Sequence, residues 1–118
     1  MELDHNTRIR AQNDAFRQCP DMAIPYGIDG TIVTTRGVID LFGDRLDTVT
    51  RWVRTYTTFT EDNDPEGTHD FGAFKIGAQR LFWKIDYYAD ASCTYGSEDP
   101  ADPTKTFRVL TVMLAEEY

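Results

Sequence analysis

The first apolar positions of the chain recur with a helical period. Between residues 5 and 18 they lie three and four residues apart, which predicts an amphipathic helix capped by Asn6 or Thr7. The buried stripe of this helix is predicted to comprise Ile9, Asn13, Phe16 and Cys19. The side chains expected to face water are those of Arg8, Arg10, Asp14 and Arg17. Residues 20–30 contain two prolines and two glycines, which is typical of a loop.

A second helical pattern covers residues 44–58. Its N-cap is predicted at Asp44, and Trp52 is expected to pack at the border of the buried stripe. That stripe comprises Leu46, Val49, Val53 and Tyr56. Between the two predicted helices, the β-branched residues 31–35 indicate a short strand, and Arg36-Gly37 are expected to turn the chain.

The pattern changes to a period of two in the second half of the chain. Residues 71–76 and 79–88 predict two strands of a hairpin that turns at Gly77-Ala78. One face of the second strand is apolar and is expected in the core; its residues are Leu81, Trp83, Ile85 and Tyr87. The other face is half polar and is expected to be the functional one; its residues are Phe82, Lys84, Asp86 and Tyr88.

The last segment, residues 104–117, fits two patterns. Its apolar residues follow a helical spacing behind a cap at Asp102-Pro103, but they also alternate as they would in a strand. Because of the cap, we favour a helix here. Together these elements predict a single α+β domain over residues 1–118, with a small antiparallel sheet around a central hairpin and helices packed on one face.

The net charge of −8 is unevenly distributed along the chain. Residues 61–118 contain twelve acidic and five basic residues, whereas residues 1–60 contain eight acidic and seven basic ones. Such a surface repels nucleic acid, and it suits a basic protein partner, a cation or simple solubility. No apolar run approaches the length of a membrane span, and the N-terminus lacks the pattern of a secretion signal. We therefore expect a cytoplasmic protein without membrane contact.

The chain contains two cysteines, Cys19 and Cys93. Two cysteines so far apart in sequence do not form the framework of a disulfide-stabilised domain. We expect both to be reduced and partly buried thiols.

Several unusual strings occur in order in the second half of the chain. They are Asn63-Asp64-Pro65, His69-Asp70-Phe71-Gly72-Ala73-Phe74, Phe82-Trp83-Lys84-Ile85-Asp86-Tyr87-Tyr88, Gly96-Ser97-Glu98-Asp99-Pro100-Ala101-Asp102-Pro103 and Arg108-Val109-Leu110-Thr111-Val112-Met113-Leu114-Ala115. Over residues 31–118 the chain resembles an uncharacterised family of small acidic bacterial proteins, a domain of unknown function often carried by plasmids and phages. Residues 1–30 match this family only loosely. The resemblance implies one compact domain and a mobile-element setting, and it implies no activity.

The acidic loop at residues 60–70 contains part of a calcium-binding spacing. The residues at positions 1, 3, 5 and 6 of an EF-hand-like loop are Asp62, Asp64, Glu66 and Gly67. Position 12, however, is Ala73 in place of the bidentate glutamate, and Pro65 interrupts the loop. A solvated acidic loop explains the residues better, so we predict neither a metal nor a cofactor.

A histidine near acidic and basic groups suggests a small enzyme or ligand-binding protein as the alternative function. The residues of this alternative site are His69, Asp70, Lys84 and Asp86. They would have to converge in one pocket to serve as a base and its orienting acid. Structural roles are equally natural, with Asp64 or Asp70 accepting hydrogen bonds from loop amides and His69 hydrogen-bonded beneath the hairpin.

Aromatic residues beside acidic loops are typical of a protein interface, and this is the function that we favour. The chain would be a non-enzymatic module, monomeric or homodimeric, that binds a basic protein. Its carboxylates would imitate phosphates in the groove of a nucleic-acid-binding effector, and in a mobile-element setting it would inhibit a restriction or CRISPR system. The predicted partner-binding residues are Asp62, Asp64, Glu66, Trp83, Tyr88, Glu98, Asp99 and Asp102.

Overall fold

Four strands form one sheet in the computed structural model, which describes residues 4–118. The strands, which lie in the order β1-β4-β3-β2, are β1 (Asp29–Thr34), β2 (Phe71–Ile76), β3 (Gln79–Tyr88) and β4 (Phe107–Leu114). The helices are α1 (His5–Gln18), α2 (Pro20–Ala23), α3 (Arg36–Phe42) and α4 (Leu46–Arg54). Short 3-10 turns occupy Ile24–Tyr26, Gly43–Arg45, Pro103–Lys105 and Ala115–Glu117. The fold is α+β, as predicted.

Helix α1 has its predicted bounds but a different cap. The carboxylate of Asp4 accepts a hydrogen bond from the Thr7 amide at 2.8 Å, so the predicted caps Asn6 and Thr7 lie inside the first turn. Cys19 lies just beyond the last turn and is exposed, and so is Cys93. The expectation of partly buried thiols is therefore wrong, although both cysteines are free.

Arg17 was expected to face water but is only 1% exposed. It follows Phe16 on the inner side of α1, and its guanidinium donates to the Val53 carbonyl at 2.7 Å at the end of α4. The guanidinium also lies over the Trp83 ring, 5.0 Å from its centroid. A backbone carbonyl at a helix terminus and an aromatic face together replace the water that this cation loses.

The helix predicted at residues 44–58 is present as the shorter α4, and a further helix that the sequence did not predict, α3, precedes it. Gly43 has a φ of 51°, a left-handed conformation that ends α3 and separates it from α4. Arg36-Gly37 begin α3 and do not turn the chain, and Asp44 lies in the 3-10 turn and not at a cap. Trp52, expected in the core, is 45% exposed and stacks on Phe74.

The hairpin is confirmed residue for residue, but the helix favoured for residues 104–117 is wrong. This segment contains β4, which is the central strand between β1 and β3. Hydrogen bonding on both sides of β4 stabilises the extended form, and alternate side chains such as Leu110 and Val112 enter the core. Asp102 caps only the short 3-10 turn, where it accepts from the Thr104 amide.

The sheet is mixed rather than antiparallel. Strand β3 pairs antiparallel with both β2 and β4, whereas β1 runs parallel to β4, with Ile32 opposite Leu110. A parallel pair requires a long crossover, and here the chain between β1 and β4 contains α3, α4 and the hairpin.

Helices α1, α3 and α4 pack on one face of the sheet. Their contribution to the core comprises Phe16, Val38, Phe42, Val49 and Val53, and the sheet contributes Phe74, Leu81, Trp83, Ile85, Leu110, Val112 and Leu114. The opposite face carries half-buried side chains that include Phe82, Lys84, Asp86 and Tyr88. The ring of Tyr118 lies edge-on against Phe71 and Phe82 on that face. Within residues 4–118, no helix combines the length and the apolar character that crossing a membrane requires.

Candidate functional site

His69 lies between two carboxylates and against an aromatic ring. Its Nδ1 is 2.9 Å from Oδ1 of Asp14, and its Nε2 is 3.7 Å from Oδ2 of Asp64. The imidazole stacks on Phe59 with a ring separation of 3.7 Å, and the residue has a φ of 54°. Asp14 also receives a hydrogen bond from Arg17. These contacts fix the ring of His69 in one orientation.

The acidic loop at residues 60–70 is organised by its own side chains. Asp64 is only 8% exposed, and its carboxylate accepts a hydrogen bond from the His69 amide at 3.2 Å. Asn63 accepts from the Thr60 amide and donates to the Thr58 carbonyl. Asp64 thus has the structural role anticipated as an alternative, and its burial makes it unavailable as a partner-binding residue.

Asp70 belongs to a buried polar network and does not contact His69 through its side chain. Tyr87 donates to the Asp70 carboxylate at 3.1 Å and accepts from Asn13 at 2.8 Å. Asn13 in turn accepts from Arg108, which is fully buried and also donates to the Pro100 carbonyl. Burial, with the charge of Asp70 as the next contribution, raises the pKa of Tyr87 above its usual range.

Lys84 and Asp86 lie on the opposite face of the sheet. Their side chains point the same way from β3, because they are two residues apart on a strand, and they form a 2.9 Å ion pair. The hydrogen bond that Lys84 donates to the Asp86 carboxylate raises the pKa of Lys84. The four residues of the alternative site therefore occupy three separate places: His69 beside α1, Asp70 in the buried network, and Lys84 with Asp86 on the open face.

Both acidic loops contact the same turn of α1. Nε2 of His5 is 3.0 Å from Oδ1 of Asp99 in the loop at residues 89–102, and Asn6 donates to the Glu66 carbonyl in the loop at residues 60–70 at 3.2 Å. Arg10 reaches the neighbouring Gly67 carbonyl. The N-terminal turn of α1 thereby brings two distant segments together. We call the surface of these two loops the acidic surface; the loops carry the carboxylates of Asp62, Glu66, Glu98, Asp99 and Asp102. Arg8 and Arg10 of α1 lie beside the loops, near Asp99 and the Gly67 carbonyl.

Two carboxylates of the acidic surface are held by hydrogen bonds that favour the charged form. The His5 hydrogen bond lowers the pKa of Asp99, and the hydroxyl and amide of Thr104 lower the pKa of Asp102. Of the remaining predicted partner-binding residues, Tyr88 is half-buried and forms an isolated antiparallel β-bridge with Gly96. Trp83 is fully buried in the core and cannot contact a partner.

The loop at residues 60–70 does not gather a cation cage. Among residues 4–118, no three histidine, cysteine, aspartate or glutamate side chains are grouped as metal ligands. The Asp64 carboxylate instead lies against the backbone amide and the ring of His69.

The side chains that surround His69 include three that sequence reasoning did not place there: Asp14, Arg17 and Phe59. Asp14 is 55 residues away in sequence, and no local spacing connects it to His69. The sequence pattern places Asp14, three residues before Arg17, on the side of α1 that faces water. The charged pair Asp14 and Arg17 at spacing i, i+3 is the one signal of a shared environment.

The family model described as a protein of unknown function, DUF3768, matches residues 34–117 of the chain. The chain belongs to the DUF3768 family. The comparisons of this chain with curated proteins and with solved structures found no match.

The matched span of the DUF3768 domain begins at the last residue of β1 and ends within the final 3-10 turn. It includes both acidic loops, the hairpin and β4. Helix α1 lies before it, although Asn13, Asp14 and Arg17 of this helix contact the matched span directly. The acidic surface therefore joins two loops of the matched span through a helix from outside it.

Proposed function

We propose that this DUF3768 protein is a non-enzymatic binding module whose acidic surface engages a basic protein. The observation that carries the proposal is the convergence of the two acidic loops on one turn of α1, through His5 to Asp99 and Asn6 to Glu66. Carboxylates gathered on one surface produce a local negative potential that steers and orients a positively charged partner. The same charges spread evenly would not produce such a patch.

The specific role that we propose is inhibition of a nucleic-acid-binding effector of a host defence system, of the restriction or CRISPR type. The basic groove of such an effector is built to bind phosphates through lysine and arginine side chains. Exposed Asp62, Glu66 and Glu98 present carboxylates from loops of fixed shape, so little conformational entropy is lost on binding. The domain would occupy the groove and exclude DNA or RNA.

The distribution of the other charged residues supports binding over catalysis. An enzyme built on His69, Asp70, Lys84 and Asp86 would need these groups within hydrogen-bond reach of one substrate. Instead, Lys84 and Asp86 neutralise each other across the sheet from His69. The two surface depressions that His69 lines are shared with Asp14 or with Asp64, and neither is lined by Asp70, Lys84 or Asp86.

The proposal is tested by capture of partners from a bacterial host with the tagged full chain, at low and at high salt. We expect a basic protein that is retained at low salt, released at high salt and displaced by added duplex DNA. The triple variant Asp62→Asn, Glu66→Gln and Glu98→Gln should lose this partner, because it removes three charges but none of the side-chain hydrogen bonds that hold Asp64, Asp99 and Asp102.

The matched control neutralises three exposed carboxylates elsewhere, with Asp21→Asn, Asp40→Asn and Asp44→Asn. It has the same net charge as the test variant, so it should retain the partner if the acidic surface is the binding site. Equal loss of binding in the two variants would leave only a net-charge effect and would contradict the proposal. A partner that duplex DNA does not displace would contradict the phosphate-mimic role alone.

A further inference from the structure

Strand β1 is an exposed edge of the sheet. It pairs with β4 on one side only, and Ile32 and Val33 are each 42% exposed. Edge strands commonly avoid pairing with other chains by carrying charged side chains or proline. Residues 30–35 contain neither. The other edge, β2, is different, because it presents the exposed Lys75.

The backbone of β1 has a defined set of outward-facing groups. The Thr35 amide donates to the Val112 carbonyl at 3.1 Å, so the backbone groups of residues 31, 33 and 35 face β4. Since successive residues alternate, those of Gly30, Ile32 and Thr34 face away from the sheet. The Gly30 amide is satisfied by the Asp29 carboxylate at 2.9 Å, which leaves Ile32 and Thr34 as the donors available to another strand.

We propose that β1 pairs antiparallel with β1 of a second copy of this chain, joining the two sheets into one of eight strands. A twofold axis perpendicular to the sheet requires opposite residues to point to the same face. Of the registers that meet this condition, the one centred on Ile32 pairs Ile32 with Ile32 of the second copy and Gly30 with its Thr34. The two Ile32 residues then exchange backbone hydrogen bonds, and the Thr34 amide of one copy donates to the Gly30 carbonyl of the other.

Charge and side-chain shape favour a second copy as the occupant. In this register Asp29 of one copy lies opposite Thr35 of the other and next to its Arg36, so opposite charges meet at both ends of the pairing. The central pair of isoleucines covers a cleft between β1 and α4 that is lined by Ile32, Leu46, Val49, Val53 and Leu110. The uncharged centre allows two chains of net charge −8 to approach there.

The test is sedimentation equilibrium of the untagged full chain from about 10 µM to about 1 mM, a range that brackets the weak affinity expected of a strand-edge interface. We expect a reversible monomer–dimer equilibrium. Ile32→Lys places two like charges opposite each other at the centre of the interface and should weaken dimerisation at least about tenfold. Ile39→Lys is the matched control, because Ile39 is 43% exposed but lies on α3; this variant should dimerise as the wild type does.

Amide hydrogen exchange distinguishes edge pairing from other contacts. The amides of Ile32 and Thr34 should become protected as the wild-type concentration rises, whereas the Thr35 amide, already bonded to β4, should be protected at every concentration. A wild-type chain that remains monomeric throughout the range, or a dimer that Ile32→Lys leaves intact, would overturn the proposal. Neither result would affect the test of the acidic surface.

Discussion

At the scale of single residues, Tyr87 gives the protein a pH dependence in the alkaline range. Burial and the Asp70 carboxylate raise the pKa of its hydroxyl above the usual value of 10.0. Above pH 10 the unfolded chain loses this proton while the folded chain retains it, so the contribution of Tyr87 to the free energy of unfolding should fall as pH rises, by at most about 1.4 kcal/mol per pH unit. Burial lowers the pKa of the neighbouring Arg108 to about 10, and this contribution has the opposite sign. Below pH 10 the Tyr87 hydroxyl is protonated in both the folded and the unfolded chain, so its stabilising contribution is fully present.

The measurement is urea denaturation between pH 8 and pH 11. The Tyr87→Phe variant should be less stable at pH 8, because Asn13 and Asp70 lose a partner, but its free energy of unfolding should depend less on pH above 10. Tyr26→Phe provides the control, since Tyr26 is 84% exposed and should leave the wild-type dependence unchanged. Identical slopes for wild type and Tyr87→Phe would show that Tyr87 does not carry the effect.

Residue-scale prediction from the sequence succeeded where a side chain had one obvious environment. Ile9 and Phe16 are buried as their spacing indicates. Arg17 follows Phe16 on the same side of α1, but its charge led to an exposed assignment. Nothing in the local sequence indicates that the Val53 carbonyl and the Trp83 ring would lie within its reach. The environment of His69 escaped prediction for the same reason, because Asp14 approaches it from a distant helix.

At the scale of elements, the packing of β2 on β3 depends on the absence of a side chain at Gly72. A Cβ added there would lie 2.6 Å from Cε2 of the Trp83 indole and closer still to Nε1. Because Trp83 is fully enclosed, the ring cannot move aside without disturbing the core. Gly72→Ala should therefore lower the free energy of unfolding by about 2 kcal/mol, as overpacked core substitutions do.

Urea denaturation of Gly72→Ala beside Ala73→Ser checks this expectation. Ala73 is the next residue on β2 but points to the opposite face and is exposed, so its substitution should change the free energy of unfolding by less than about 0.5 kcal/mol. A wild-type midpoint for Gly72→Ala would mean that β2 can shift away from the indole without loss of packing.

Elements were predictable where their pattern had a single period. The hairpin was, because Gly77-Ala78 marks its turn and only one face of β3 is continuously apolar. Strand β4 was not predictable, because both of its faces are apolar apart from Arg108 and Thr111, and the preceding Asp102-Pro103 also fits a helix start. Its central position in the sheet decides the conformation, and that position depends on pairing with β1, which no local signal reveals.

At the scale of the whole molecule, the acidic surface should make stability depend on salt. Neighbouring carboxylates repel one another in the folded state, and at physiological ionic strength salt largely screens this repulsion beyond about 8 Å. The unfolding temperature should therefore rise by a few degrees, on the order of 3 °C, between 10 mM and 300 mM NaCl.

Differential scanning calorimetry of the two triple variants separates local from overall charge. The variant at Asp62, Glu66 and Glu98 should show a smaller salt-dependent rise than the one at Asp21, Asp40 and Asp44, because only the former relieves the clustered repulsion. Equal rises would mean that the charges act through their sum and not through their arrangement.

The position of β4 has a consequence for the order in which the chain folds. β4 is the last strand in sequence and an inner strand of the sheet, and its parallel partner β1 is 78 residues earlier, as in the pair Asp29 and Phe107. The two-residue turn lets β2 and β3 associate early, since closing a short loop costs little entropy. β1 must remain without its partner until β4 has been synthesised and has docked. The chain should therefore fold slowly for its size, and the pairing of β1 with β4 should form last. During that interval the uncharged residues 30–35 are free on both edges, and rapid synthesis at high concentration would favour mispaired chains over native ones.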